Sequence, residues 1–318
     1  MWPLIRFVPS HTHFKFVALA PFAAILSAIA LIVSGGFFFV NHGLNLGVDF
    51  TGGTVMEVQT KGPADLAALR GSVGGFGAHD ATVQGFGAPD TVMIRFKAPE
   101  GVPAATAVTN VKAGLAQKFP GIAFKSDSTV GAKVSGELLT SGFMSLGVAL
   151  LLMLAYIWFR FQLQFGLGAV LAVFHDVVLT LGLLAALKIE FSVTSIAALL
   201  TVIGYSMNEK VITFDRLREN LRKYKTTPLR DVIDLSENER LSRTLITGAS
   251  ALLALSGCLF FGGQALFPLV FTMTFGIIIG TYSSVYVALP VILLWGVNRN
   301  DDDDAAPIKP QGARVSRA

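Results

Sequence analysis

The sequence predicts an α-helical membrane protein of six spans with one small α+β domain inserted between the first two. Three observations predict it. Of 318 residues, 53% are hydrophobic and only 14% charged, against roughly 25% charged in an average soluble domain. Six mostly apolar runs come close to or exceed the roughly 20 residues that a helix needs to cross a hydrocarbon core about 30 Å thick. Between the first two runs lies a stretch of ordinary polarity in which strand and helix signals alternate.

The first span, Phe16 to Val40, holds 25 uncharged residues, longer than the apolar core of a removed signal peptide, so it reads as a retained anchor behind a cytoplasmic segment 1–15. Span two runs over 138–159, where Tyr156 and Trp158 read as interface anchors. Spans three to six cover 164–187, 191–214, 244–261 and 266–295. Six spans put both termini on one side. The connection 215–243 carries eight Lys/Arg, whereas Lys188 is the only basic residue in the connections facing the other way. Short basic loops stay in the cytoplasm, so the termini lie there too, in agreement with Arg6 and Lys15. The tail 296–318, with Asp301 to Asp304 and then Pro307 and Pro310, reads as a disordered cytoplasmic segment.

Residues 41–137 carry eight basic and eight acidic residues, and a long translocated domain is exempt from the charge rule. Within it, 54–60 alternates like a strand, 64–73 reads as a helix, and 81–86 with 91–97 as a hairpin around Gly87, Pro89 and Asp90. A helix over 103–119 and a strand over 122–130 follow. The order βαββαβ is that of a ferredoxin-like split βαβ unit.

Several chemistries are excluded by what the sequence lacks. A formal charge of +4 is too small for a nucleic-acid groove. No Gly-x4-Gly-Lys-Ser/Thr loop occurs, and the string Gly166-Leu-Gly168-Ala-Val-Leu171 breaks at its third glycine inside a span, so no nucleotide is expected. Five scattered histidines and the lone Cys258 offer no metal site and no internal disulfide. Gly204-Tyr-Ser206-Met-Asn208 lacks the closing glycine of a nucleophile elbow. No enzyme and no cofactor are expected.

Asp176 is the sharpest signal. It sits at the centre of span three, where a charge costs about 2.5 to 3.5 kcal/mol on insertion scales, so it must be paired, protonated or facing a wet cavity. Burial disfavours the charged form of a carboxyl. Asp176 therefore reads either as a group that loads and releases a proton or as a hydrogen-bonding staple between helices. His175 precedes it, but successive helical residues point about 100° apart, so the two need not touch.

Span four ends in a polar patch: Tyr205, Ser206, Asn208, Glu209, Lys210, Asp215 and Arg216. Glu209 and Lys210 point to different faces, whereas Glu209 shares a face with Tyr205 and with Arg216. A polar stripe facing a buried aspartate would make a proton path. Arg216 fits two roles, an interfacial anchor that snorkels and a gating counter-charge. In span six, Gly276, Gly280, Ser284 and Ala288 recur every four residues as a smooth packing ridge, and Thr281, Tyr282, Ser283 and Ser284 lie within reach of the Asp176 region.

Certain strings carry a family resemblance. They are Gly47-Val-Asp-Phe-Thr-Gly-Gly-Thr54, His175-Asp176-Val177, Gly204-Tyr-Ser-Met-Asn208 followed by Phe214-Asp-Arg-Leu-Arg-Glu-Asn220, Leu241-Ser-Arg-Thr244 and Gly280-Thr-Tyr-Ser-Ser284. In order along the chain they resemble the SecF branch of the SecD/SecF family of bacterial protein-export membrane proteins, related to the resistance-nodulation-division exporters. The resemblance implies a multi-pass inner-membrane subunit paired with SecD, associated with the SecYEG channel, that uses the proton-motive force to assist preprotein translocation. It places the proton relay on Asp176 and carries the Phe-Asp-Arg string to Asp215 and Arg216. His175, Arg216 and the Tyr205 to Glu209 stripe would then bias the proton affinity of Asp176, and residues 54–130 would move.

Three positions depart from the family pattern. Glu209 stands where the family has aspartate. Val130-Gly131-Ala132 replaces Val-Gly-Pro, and Glu237-Asn238-Glu239-Arg240 replaces a string containing Asn-Gln-Thr. Two other functions share the buried aspartate: a proton-coupled exporter of lipid or small molecules, which needs an apolar substrate cleft, and a scaffold that only stabilises the channel complex.

Overall fold

The computed structural model describes residues 12–161 and 163–297. The expected acidic tail, from residue 298 on, and the start of the N-terminal segment lie outside the described residues. A long apolar helix, α1 (Phe16–Val40), comes first and buries only Ala23 and Ser27 against protein. The chain turns through His42 and Gly43, both at positive φ. It then forms a short strand β1 (Asn45–Leu46), one-turn helix α2 (Val48–Thr51), β2 (Gly53–Gln59), α3 (Leu66–Val73), β3 (His79–Phe86), β4 (Ala88–Lys97), α4 (Ala104–Lys118) and β5 (Ala123–Val130).

Strands β2 to β5 make one antiparallel sheet in the order β3-β4-β2-β5. Successive side chains of a strand face opposite ways, so Met56 and Val58 of β2 and Val92, Ile94 and Phe96 of β4 are buried. They pack with Leu69 and Val73 of α3 and Val111 and Leu115 of α4. Asp65 caps α3, its carboxylate accepting from the backbone N–H of Ala67 at 3.0 Å and Ala68 at 2.9 Å. The hairpin turn is tighter than the composition suggested. Gly87 alone takes the left-handed φ of 78°, Phe86 pairs with Ala88, and Pro89 and Asp90 fall inside β4, where the Pro89 carbonyl accepts from Ala64 N–H at 2.9 Å.

The remaining elements are α5 (Ala132–Arg160), α6 (Leu163–Ala186), β6 (Glu190–Phe191), α7 (Val193–Lys223), α8 (Leu229–Phe261), α9 (Gly263–Ser283), a π turn (Ser284–Ala288) and α10 (Leu289–Trp295). Among the described residues, five helical runs are long and apolar enough to cross a membrane: α1, α5, α6, α8 and the run Ala265–Trp295 through α9 and α10. Helix α7 is long enough at 31 residues, but its polar patch keeps it from being apolar enough. The connection 215–243, read as a loop, is largely helical. Helix α7 continues to Lys223 and α8 starts at Leu229, because Leu217 and Leu221 pack against Val232 and Ile233, an amphipathic pattern that a search for uniform apolarity passes over.

Glycines let the central helices approach closely. A Cβ on Gly280 would sit 3.0 Å from that of Ser206, one on Gly276 would overlap Val202, and one on Gly168 would sit 2.8 Å from the Ala288 carbonyl oxygen. The ridge of α9 and the π turn therefore packs on α7 and α6. The π turn has a local cause: Pro290 has no N–H to give the carbonyl four residues back, that of Tyr286.

Contacts also define the two ends of the bundle. At one, β1 pairs in parallel with β6, Asp49 accepts from Val193 N–H at 3.0 Å, and Arg95 of the sheet domain pairs with Glu190. At the other, the backbone N–H of Val17 donates to Asp234 at 2.9 Å and that of Phe14 to Asn238 at 2.8 Å.

Candidate functional site

Asp176 is 1% exposed and lies where α6, α7 and α9 meet. Its Oδ2 accepts from Lys210 Nζ at 2.9 Å, from Ser283 Oγ at 2.7 Å and from Ser206 Oγ. Its Oδ1 faces His175 Nδ1 at 3.0 Å. Lys210, fully buried, also donates to Ser283 Oγ at 3.0 Å and to Ser206 Oγ. Both serines thus receive a hydrogen bond from the ammonium and pass one to the carboxylate, which orders the pair from both sides. The His175 ring stacks on Tyr282 at a centroid distance of 6.1 Å, and the Tyr282 hydroxyl bonds Ser27 of α1 at 2.9 Å.

Local structure explains the grouping. Ser206 and Lys210 are four apart on α7 and so share a face, and both are buried on the side that meets α6 and α9. The close approach at Gly280 brings Ser283 to the same point.

A second polar cluster lies beside the first. Arg240 of α8 donates through Nε to both carboxylate oxygens of Glu237 at 2.8 Å, through Nη1 to Thr244 at 2.8 Å and to Glu209 at 3.4 Å, and through Nη2 to Ser284 at 3.0 Å. Thr244 also donates to Glu209 at 3.1 Å.

Of the residues expected to support Asp176, His175 and Ser206 touch it, and Glu209 turns instead to Arg240. Tyr205 is half-buried and its hydroxyl lies near Gly248. Three expected members stand apart. Asn208 is exposed, Asp215 pairs with Arg160 at 3.0 Å, and Arg216 pairs with Glu219 at 2.6 Å and Glu239 at 2.8 Å, not with Glu209. The seven-residue spacing aligns Arg216 with Glu209 but puts it about 10 Å further along the helix axis, where α8 supplies nearer acids. The sequence reading missed Lys210 as the partner of Asp176, although its spacing from Ser206 was a usable signal. It also missed Glu237 and Arg240, visible only as a departure from the family string.

A family model described as "Protein export membrane protein SecD/SecF, C-terminal" matches residues 110–298, and one described as "SecD/SecF GG Motif" matches 37–64. The protein translocase subunit SecF of Cereibacter sphaeroides is 42% identical over 307 residues, covering 93% of each chain. The chain belongs to the SecF family. The SecF subunit of Rhodobacter capsulatus is 40% identical, covering 94% of this chain and 93% of its own. Among solved structures, a translocon-associated SecDF from Thermus thermophilus superposes with a TM-score of 0.82 at 29% identity over 93% of this chain. This SecF-family chain spans 39% of that SecDF chain. A SecDF in a super-membrane-facing form gives a TM-score of 0.66 at 28% identity, covering 96% of this chain and 41% of its own. The chain is thus a membrane-embedded accessory subunit of Sec protein export, and its relatives are named as protein translocase subunits, a transport function.

Proposed function

We propose that this chain, paired with SecD against the SecYEG channel of the bacterial inner membrane, uses the proton-motive force to assist preprotein translocation, with Asp176 as the proton carrier. The observation that carries the reading is the buried ion pair of Asp176 with Lys210, locked by Ser206 and Ser283. Protonating the carboxyl removes half of a buried pair, and an uncompensated buried ammonium is costly. The junction of α6, α7 and α9 therefore favours different packings in the two states, which is what a proton-driven movement requires.

In this reading the protein has six spans, the five apolar runs and α7, which is the fourth in chain order. Support comes from its ends: α7 starts beside β6 and the sheet domain and finishes beside the start of α8, near the N-terminal contacts of Phe14 and Val17. The basic connection and both termini are cytoplasmic, and the sheet domain is periplasmic. With order β3-β4-β2-β5 and helices after its first and third strands, that domain is of the ferredoxin-like type, tied to the membrane helices through Arg95 and Glu190.

The test is preprotein translocation into inverted membrane vesicles with and without an imposed proton gradient. Asp176→Asn is expected to retain co-purification with SecD and to lose the stimulation by the gradient. Full stimulation in the variant would refute the relay.

A further inference from the structure

Among the described residues, the buried carboxyls of the helical bundle are Asp176, Glu209 and Glu237, its buried ammonium and guanidinium are Lys210 and Arg240, and the buried imidazole of His175 lies on Asp176. Three carboxyls thus face two cationic side chains. Lys210 is committed to Asp176, which leaves one guanidinium for two carboxyls. Arg240 grips Glu237 at 2.6 to 2.8 Å and reaches Glu209 only at 3.4 Å. Two like charges sharing one cation out of water disfavour each other's ionisation, and such a pair settles by holding a proton.

The position of this pair matters as much as its charge. A polar cavity of about 440 Å³, lined by Asp215, Arg216, Glu219, Glu239 and Arg243, opens onto Arg240. On the inner side, chain neighbours join the two clusters. Glu209 precedes Lys210, and Ser283, on Asp176, precedes Ser284, on Arg240. The ionisable groups facing the pair are Lys210 and Tyr205 on α7, Asp234 on α8 and Tyr286 on the π turn, with Asp176 of α6 beyond the serines.

We propose that Glu209 and Glu237 together form a second proton-holding site, the station between Asp176 and the cavity on the cytoplasmic side. The pair shares one proton. Its release to water in the cavity leaves two carboxylates on Arg240, and transfer of the Asp176 proton to the pair breaks one O–H bond and forms another, restoring the shared state. The guanidinium stays charged throughout. The role as a station rests on the proton-coupled reading above, whereas the shared proton does not.

Infrared spectroscopy of the purified complex with SecD tests the shared proton directly. At neutral pH the wild type is expected to show the C=O stretch of a protonated carboxyl, shifted by exchange into D2O. Either Glu209→Gln or Glu237→Gln matches one acid to one cation and should abolish the band, while Asp176→Asn/Lys210→Gln, which removes one acid together with its cation, should keep it. Absence of the band in the wild type, or its survival in both glutamine variants, would overturn the proposal.

Inverted vesicles, whose cytoplasmic face meets the bath, test the station. Gradient-driven translocation in the wild type should vary with bath pH. Glu237→Gln should flatten that profile and slow the driven rate about tenfold at the wild-type optimum, the occupancy change of one pKa unit, and Glu237→Asp should restore the profile. An unaltered profile in both Glu237→Gln and Glu209→Gln removes the station. A wild type indifferent to the gradient sinks the reading of Asp176 and the station with it, and the infrared result still decides the shared proton.

Discussion

Lys210 Nζ lies 2.9 Å from Asp176 Oδ2 across 34 residues of chain, and both side chains are out of contact with solvent. In that setting each charge is tolerable only because of the other. Lys210→Gln is expected to destabilise the protein by about 3 to 5 kcal/mol, the cost of orphaning a buried charge. The double variant Asp176→Asn/Lys210→Gln should recover most of that stability while remaining deaf to the proton gradient. Thermal unfolding of the purified protein and vesicle translocation read the two halves, and a single variant as stable as the wild type would contradict the first.

Arg216 provides the contrast. Its partners Glu219 and Glu239 are 62% and 28% exposed, and exposed pairs contribute about 0 to 1 kcal/mol. Arg216→Gln should therefore shift unfolding only slightly and leave gradient-driven translocation close to that of the wild type. A loss as deep as that of Lys210→Gln would mean that Arg216 acts on Asp176 after all.

The close contact of α9 with α7 should be intolerant of bulk at one position and indifferent at another. A side chain on Gly280 meets Ser206 at 3.0 Å, whereas a Cβ on Gly204 meets nothing within 4 Å. Gly280→Val is expected to cost about 1 to 3 kcal/mol through overpacking and to displace Ser206 from Asp176. Gly204→Ala should be neutral. Equal melting behaviour of the two variants would rule out this packing.

Glu190, outside the helical spans, supplies a pH dependence. Burial raises its carboxyl above the ordinary glutamate range, opposed by the Arg95 guanidinium and reinforced by Asp49. A carboxyl raised on folding holds more protons folded than unfolded, so its contribution to docking of the sheet domain falls as pH rises from the ordinary glutamate value through the folded one. Arg95→Gln removes the opposing cation and should move that loss to higher pH. Hydrogen exchange at β4 and β6 across the acidic range measures it, and protection that rises with pH over that window would reverse the sign.

Much of the candidate site was legible in the sequence because depth in a membrane is a one-dimensional property. Asp176 stands in the middle of an apolar run, and no other fact is needed to mark it. The polar stripe of span four was legible for the same reason, and so were the small residues of span six. The partners were not. Helical spacing assigns a residue to a face without saying which helix covers that face, so Glu209 and Arg216 could be aligned with each other while each turns to a residue of α8. Lys210 looked like a poor partner for its neighbour Glu209, and its true partner lies on another helix.

The same distinction holds for the whole chain. Local sequence determined the apolar helices, the alternating strands of the sheet domain, the excess of basic residues in one connection and the family to which the chain belongs, since each depends on residues close together in the chain. Only the tertiary structure decided that α7 runs end to end despite its charges, that Ser206, Lys210 and Ser283 converge on Asp176, and that one arginine serves two glutamates. Those outcomes depend on how closely helices approach at Gly276 and Gly280, and pairing between buried charges is set by distances of an ångström or so, which no one-dimensional pattern encodes.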